Sequence, residues 1–213
     1  MKTRPLGRTG WPVSELGFGA WGIGANWWGP TDDAESLQAL TSAWDAGVTF
    51  FDTAYVYGDG HSERLVGQAL AGKPARIATK IPPKNNAWPP KTDADIDAAF
   101  PGEWIRSCTE RSLKNLGRET VDLQQFHVWT NAWLKRDEWK ETVSRLKQEG
   151  KIRAFGVSIN DHDPDSALEL VASGLVDTVQ VIFNIFDQSP VERLFPLCLR
   201  HNVGVIVRVP LDE

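Results

Sequence analysis

Residues 48–60 read VTFFDTAYVYGDG. The first four suit a buried strand, and they run into a carboxylate, Asp52. Five residues further on, in a glycine-rich turn, stands Tyr57. A carboxylate at the end of a core strand needs a partner, because an unpaired charge there is costly. The question is whether Tyr57 and Asp52 belong to one arrangement.

Outward from this stretch, strand-like and helix-like segments alternate. The strand candidates are ELGFGA (15–20), VTFFD (48–52), RIATK (76–80), VDLQQFH (121–127), IRAFGVS (152–158), DTVQVIF (177–183) and VGVIVRV (203–209). Between them lie DDAESLQALTSAWDAG, SERLVGQALAG, EWIRSCTERSLKNLG, DEWKETVSRLKQEG, DPDSALELVASG and PVERLFPLCLRHN. Several of these open on Ser or Asp and close on Gly, residues suited to helix starts and left-handed stops. Leu37, Leu40 and Trp44 share one helical face.

Such alternation with short connections predicts a parallel sheet, either doubly wound or closed into a barrel. Ahead of it, RPLGRTGWPVSEL reads as a small hairpin turning at Thr9–Gly10 and plugging the base of the sheet. The one long connection, residues 81–102, is rich in Pro and polar residues; a loop of that size is usually functional or disordered. No segment reads as an interdomain linker, so residues 1–213 are expected to form a single domain.

Gly17, Gly19 and Gly22 spell GFGAWG, a literal GxGxxG. In a dinucleotide-binding turn a helix would begin there. The following IGANWWGP cannot start one, and Asp52 lies too far downstream to be the expected ribose-binding acid. The glycines read instead as a crowded loop.

A different pattern stands at the strand ends. Asp52, Lys80, His127 and Ser158 close four of the strands, Gln180 lies within the next and Arg208 near the end of the last. Any one could be a satisfied structural group. Six in succession would converge at the mouth formed by the carboxyl ends of parallel strands, where α/β proteins build their sites.

On LGRTGWPVSELGFGAWG, DAGVTFFDTAYVYGDGHSERLVGQAL, VDLQQFHVW, EGKIRAFGVSIN, VDTVQVIFN and PLCLRHNVGVIV, the chain resembles the aldo-keto reductases. The resemblance implies a (β/α)8 TIM barrel and NADPH-dependent reduction of aldehydes or ketones, sugar or aromatic aldehydes among them. It implies that Asp52, Tyr57, Lys80 and His127 are the catalytic four. It places Trp21, Asp52, Ser158, Asn160, Gln180 and Arg208 at NADP(H), with Ser158, Asn160 and Gln180 near the nicotinamide carboxamide.

The chemistry accounts for the residue types. Hydride arriving at a carbonyl carbon leaves an alkoxide that needs a proton. A free phenol, with a pKa near 10, gives one up reluctantly near neutrality. An ammonium at Lys80, held by Asp52, is expected to lower the Tyr57 pKa toward the working range. His127 would hydrogen-bond the carbonyl oxygen. Tyr55, in the strand-to-turn step, is expected to pack.

Three departures from the family pattern matter. The usual Ser-Asn after the fifth strand is Ser158-Ile159-Asn160, and the usual stacking aromatic after the seventh is replaced by Arg208-Val209-Pro210-Leu211. A guanidinium plane can stack in its place. The 213 residues also reach only the seventh strand, whereas such barrels run to about 250 residues. The last strand, its helices and the cations gripping the adenosine 2′-phosphate are therefore expected outside these residues, and the 213 alone are expected to bind NADPH poorly and to reduce aldehydes barely or not at all.

Ten tryptophans against two tyrosines is a second signal. Trp21, Trp27, Trp28, Trp88, Trp129 and Trp133 fall in loops after strands. Trp21, Trp28, Trp88 and Trp129 are expected to wall a substrate pocket.

Two other functions fit parts of the pattern: a non-catalytic nucleotide-binding regulatory subunit, as in potassium-channel β subunits, and a Schiff-base aldolase using Lys80. The net charge of −5 gives no case for nucleic acid or an anionic membrane. Met1 is followed by no apolar leader, and no run spans a bilayer. Cys108 and Cys198 read as buried reduced thiols, which suits the cytoplasm, and no metal site is expected.

Overall fold

The computed structural model describes residues 1–24, 29 and 31–211. Thr3–Pro5 (β1) pairs antiparallel with Pro12–Ser14 (β2). The link between them is longer than the expected two-residue turn. It is a 3-10 turn over Gly7–Thr9, closed by the Leu6 amide on the Trp11 carbonyl at 3.0 Å. Gly7 has φ +49°, and a Cβ there would lie 2.1 Å from the Gly204 nitrogen, so the hairpin seats its backbone directly on the sheet.

Seven parallel strands follow in sequence order: Phe18–Gly19 (β3), Phe50–Asp52 (β4), Arg76–Ile81 (β5), Val121–Phe126 (β6), Ile152–Ser158 (β7), Thr178–Ile182 (β8) and Gly204–Arg208 (β9). Helices fill the connections: Asp33–Asp45 (α1), His61–Ala69 (α2), Gly102–Leu116 (α4), Glu138–Gln148 (α5), Leu168–Ser173 (α6) and Leu194–His201 (α7). The long connection after β5 adds one further turn, Ile96–Ala99 (α3). The sheet is curled, with β3 and β9 at its two ends. Strand neighbours that follow chain order, each joined by a helical crossover, are the order of a barrel rather than of a doubly wound sheet.

No helix starts at the glycine-rich loop after β3. The first begins at Asp33, capped by Asp32, whose carboxylate accepts the Ala34 and Glu35 amides at 2.7 and 3.0 Å.

Two apolar layers hold the sheet. The larger lies between strands and helices. Inside the curl, Leu6 and Val13 of the hairpin region pack on Phe50, Ala78, Leu123 and Ala154, with Ile206 beside them. These are alternate strand residues, and two positions further along the same strands come Asp52, Lys80 and Gln125. Strand alternation therefore stacks a dry base under a polar mouth.

The outward side of β5 is braced by a buried carboxylate. Thr79 donates to Glu63 of α2 at 2.6 Å, and Asn115 of α4 donates to the other Glu63 oxygen at 2.8 Å. Burial raises the Glu63 pKa, and the hydrogen bonds from Asn115, Ser112 and Thr79 oppose that rise. Cys108 and Cys198 are buried and unpaired, and burial pushes both thiols up to about 12. No described helix is long and apolar enough to cross a membrane.

Candidate active site

The link from β4 to α2 carries Tyr57. The strand pairing continues past β4, with the Thr53 amide on the Ala78 carbonyl at 2.9 Å and the Tyr55 amide on the Lys80 carbonyl at 3.2 Å. The chain then turns back, the Tyr57 amide reaching the Ala54 carbonyl at 3.1 Å. Gly58, at φ +65°, makes the turn possible, since a Cβ there would sit 1.6 Å from the Gly24 oxygen. The glycine-rich loop after β3 thus presses on the Tyr57 turn from the side.

Lys80 is 1% exposed. Its Nζ donates to Asp52 Oδ2 at 2.5 Å and to the Thr53 carbonyl at 2.9 Å, and it lies 5.3 Å from the centre of the Tyr57 ring. Burial pulls the ammonium down, but Asp52 and Tyr57 outweigh it, leaving Lys80 above the ordinary lysine range.

Tyr57 departs from expectation. Burial raises its pKa, Lys80 lowers it and Asp52 raises it again; the net result is above the usual phenol value, not below. Lys80 acts in the expected sense, but the carboxylate that fixes the ammonium also cancels much of its field. Tyr57 is therefore a protonated phenol at physiological pH.

His127 follows β6 directly, its amide bonded to the Ile81 carbonyl at 3.0 Å. Its ring meets Tyr57 edge-on with centroids 5.8 Å apart, and Trp88 edge-on at 4.7 Å. Burial, then the charges of Lys80 and Arg208, holds its pKa well below 6.5, so the imidazole is neutral. Its Nδ1 is buried with no hydrogen-bond partner among the described residues.

Ser158 and Gln180 are paired in register on β7 and β8, both buried, and neither side chain is hydrogen-bonded among the described residues. Arg208 on β9 donates through Nη2 to the Ile159 carbonyl at 3.0 Å and to Asp161 at 2.5 Å, while its buried Nε is unpartnered. Unspent donors and acceptors at a strand-end mouth fit a planar carboxamide-bearing group. Asn160 is different. Its amide nitrogen donates to the Trp129 carbonyl at 2.8 Å and its oxygen takes the Trp129 amide at 3.5 Å, so the side chain is committed to backbone.

The tryptophans divide. Trp88 is 44% exposed over His127, and Trp21 is half-buried in the loop after β3. Trp129 departs from the expectation that it walls the pocket, and Trp133 is buried beside it. Both are essentially fully buried, in edge-to-face contact with each other, and Trp129 also packs on Trp139. Their indole N–H groups are held internally, by Asn131 and by the Ala94 carbonyl. Trp27 and Trp28 lie outside the described residues. Tyr55 does not compete with Tyr57, because its hydroxyl accepts from Arg111 of α4 at 3.1 Å.

Gln125 was not anticipated. It lies beside Lys80 in register, donates to Asp52 Oδ1 at 3.4 Å and leaves its Oε1 buried and unpartnered. Strand alternation counted back from His127 would have found it; Asp161, the partner of Arg208, had no such signal.

Comparison with known proteins agrees with this geometry. The model described as "Aldo/keto reductase family" matches residues 15–213. A probable aldo-keto reductase 1 from Glycine max is 34% identical over 98% of this chain, which spans 59% of that relative's length. An NADH-specific methylglyoxal reductase from Escherichia coli (strain K12) is 32% identical over 100% of this chain and 68% of its own. Among solved structures, the aldo-keto reductase AKR11C1 from Bacillus halodurans (holo form) superposes with a TM-score of 0.80 at 30% identity, covering 99% of this chain and 67% of that one. An aldo/keto reductase from Klebsiella pneumoniae in complex with NADP and acetate gives 0.77 at 28% identity, covering 99% and 68%.

Proposed function

Because this chain belongs to the aldo/keto reductase family, we propose that it carries the catalytic half of a carbonyl reductase site, with Tyr57 as proton donor. The observation that carries the reading is Lys80, buried and ion-paired with Asp52 while in contact with Tyr57. When bound, a reduced nicotinamide dinucleotide supplies the hydride. Ser158 and Gln180 would hold its carboxamide, and Arg208 would offer a flat cationic surface beside them. Tyr57 gives its proton to the alkoxide oxygen. Lys80 stabilises the phenolate left behind, and Asp52 keeps Lys80 charged and in place. Neutral His127 hydrogen-bonds the carbonyl oxygen and orients it toward Tyr57.

NADPH is the proposed cofactor, supported by the solved relative bound to NADP; the NADH-specific relative makes NADH the alternative to test. Small aldehydes that fit beneath Trp88 are the proposed substrates. The Schiff-base reading is disfavoured by electrostatics, since a nucleophilic amine must be neutral and Lys80 is held as an ammonium. Steady-state turnover of methylglyoxal and benzaldehyde, followed by nicotinamide absorbance with NADPH and NADH in parallel, tests the proposal. Tight cofactor binding without turnover of either aldehyde would favour the regulatory-subunit reading instead.

A further inference from the structure

At the end of the barrel opposite Tyr57, three guanidinium groups gather on one buried carboxylate. Arg76 lies 2.7 Å from Asp122, Arg118 3.4 Å and Arg153 3.5 Å, and the Asp122 side chain is 5% exposed. Asp122 also accepts the Ile77 amide at 3.1 Å, so its acceptor sites are used. Arginine stays charged at any physiological pH. One carboxylate therefore faces three cations.

Beside this cluster a shallow, open depression of about 770 Å³ lies between the ends of α2 and α4. Arg64, Lys73, Arg118 and Arg153 line it, and Glu119 is the one acidic residue among its described lining residues. The carboxyl ends of α2 and α4 also face the depression, each worth about half a negative charge. Part of that is already answered, because Lys73 Nζ bonds the Ala69 carbonyl at 2.8 Å and the Gly117 and Arg118 amides cap the end of α4. Setting Asp122, Glu119 and both helix ends against the five cations leaves a positive excess of about two, and the buried Glu63 carboxyl, which feels Arg64 and is bonded to Asn115 of the lining, offsets part of it. The excess persists on a protein whose net charge is −5. Burial, above all, lowers the Arg118 pKa; Asp122 opposes this, and Arg76 and Arg153 push in the same direction as burial. Arg153, by contrast, has a side chain 58% exposed, and its two Nη groups carry no partner among the described residues.

We propose that this depression binds a phosphate-bearing small molecule, whose dianionic group compensates the charges of Arg153, Lys73 and Arg64. The positive excess suits an anion, and the exposed guanidinium fork of Arg153 suits phosphate oxygens in pairs. The site lies apart from the carbonyl site and does not depend on that reading.

Isothermal titration with inorganic phosphate, pyrophosphate and a sugar phosphate, at ionic strength held constant with sodium chloride, tests it. The expected result is saturable binding that weakens about tenfold or more in the Lys73→Gln/Arg153→Gln double variant, Arg153 being exposed and Lys73 half-buried, with Arg153→Gln alone as the variant that leaves the end of α2 untouched. Amide NMR shifts should centre on Gly72 and on residues 117–120. Tighter binding of the sugar phosphate identifies an esterified ligand, and equal binding identifies the free ion; either supports the site. Unchanged affinity in the double variant, shifts confined to Ser158 and Arg208, or no binding beyond that of chloride would overturn it.

Discussion

The two ends of the barrel interior are built from the same strands two residues apart, yet they obey opposite rules. At the base, Phe50, Ala78, Leu123 and Ala154 close on Leu6 and Val13 with no polar side chain among them. At the mouth, Asp52, Lys80 and Gln125 occupy the next inward positions on three of those strands, and buried polar atoms of Gln125, His127 and Arg208 lack partners. The base stabilises the fold by removing apolar surface from water. The mouth carries buried charge and unspent hydrogen-bonding capacity, which are costly unless a ligand uses them. The contrast teaches that one period-two pattern can supply both a scaffold and a site.

The strongest way to break this contrast is at Tyr57. In a form that includes the rest of the barrel, Tyr57→Phe should lower aldehyde reduction by about a hundredfold or more, the usual worth of a general acid. Cofactor affinity and thermal stability should stay near the parent values. Near-parent turnover in this variant would remove Tyr57 from the mechanism.

Leu123→Ala attacks the base. Leu123 is fully buried, so the truncation should cost about 2–5 kcal/mol in chemical denaturation. Turnover per folded molecule and its pH profile should not move. A changed profile would show that the two layers are coupled rather than merely stacked.

Lys80→Met sharpens the account of the mouth. Lys80 lowers the Tyr57 pKa while burial and Asp52 raise it. Without the ammonium that pKa climbs further, so the alkaline limb of the reduction profile should move to higher pH and the neutral rate should fall. A rate loss with the limb unmoved would mean that Lys80 serves geometry alone.

The smallest effect concerns His127. Its folded pKa is held well below 6.5, so the unfolded chain binds the extra proton first as pH falls. The stability that neutral His127 contributes is whole above about pH 6.5 and declines below it, by at most about 1.4 kcal/mol per pH unit. Urea titrations across that window should show the slope in the parent and a shallower one in His127→Gln. Equal slopes would mean that His127 is not the group titrating there.

The strands and the inward residues of the mouth were legible in the sequence, because side chains alternate strictly along a strand; the order of the strands was not, since alternation alone left a doubly wound sheet and a barrel equally open. A polar residue closing an apolar run declares both its face and its height in the sheet, which is why Asp52, Lys80 and His127 could be read directly. Loop residues carry no such period. Trp88 and Trp129 follow strands equally, yet one lies exposed over His127 and the other is walled in by Trp133 and Trp139. Asn160 looked like a ligand-binding amide until the fold brought the Trp129 backbone against it. Nor does residue type disclose the proton affinity of Tyr57, which depends on how burial, Lys80 and Asp52 balance at one point in space. Local chemistry and periodicity are properties of the chain; contacts across it, and the fields they sum to, exist only once the chain has closed on itself.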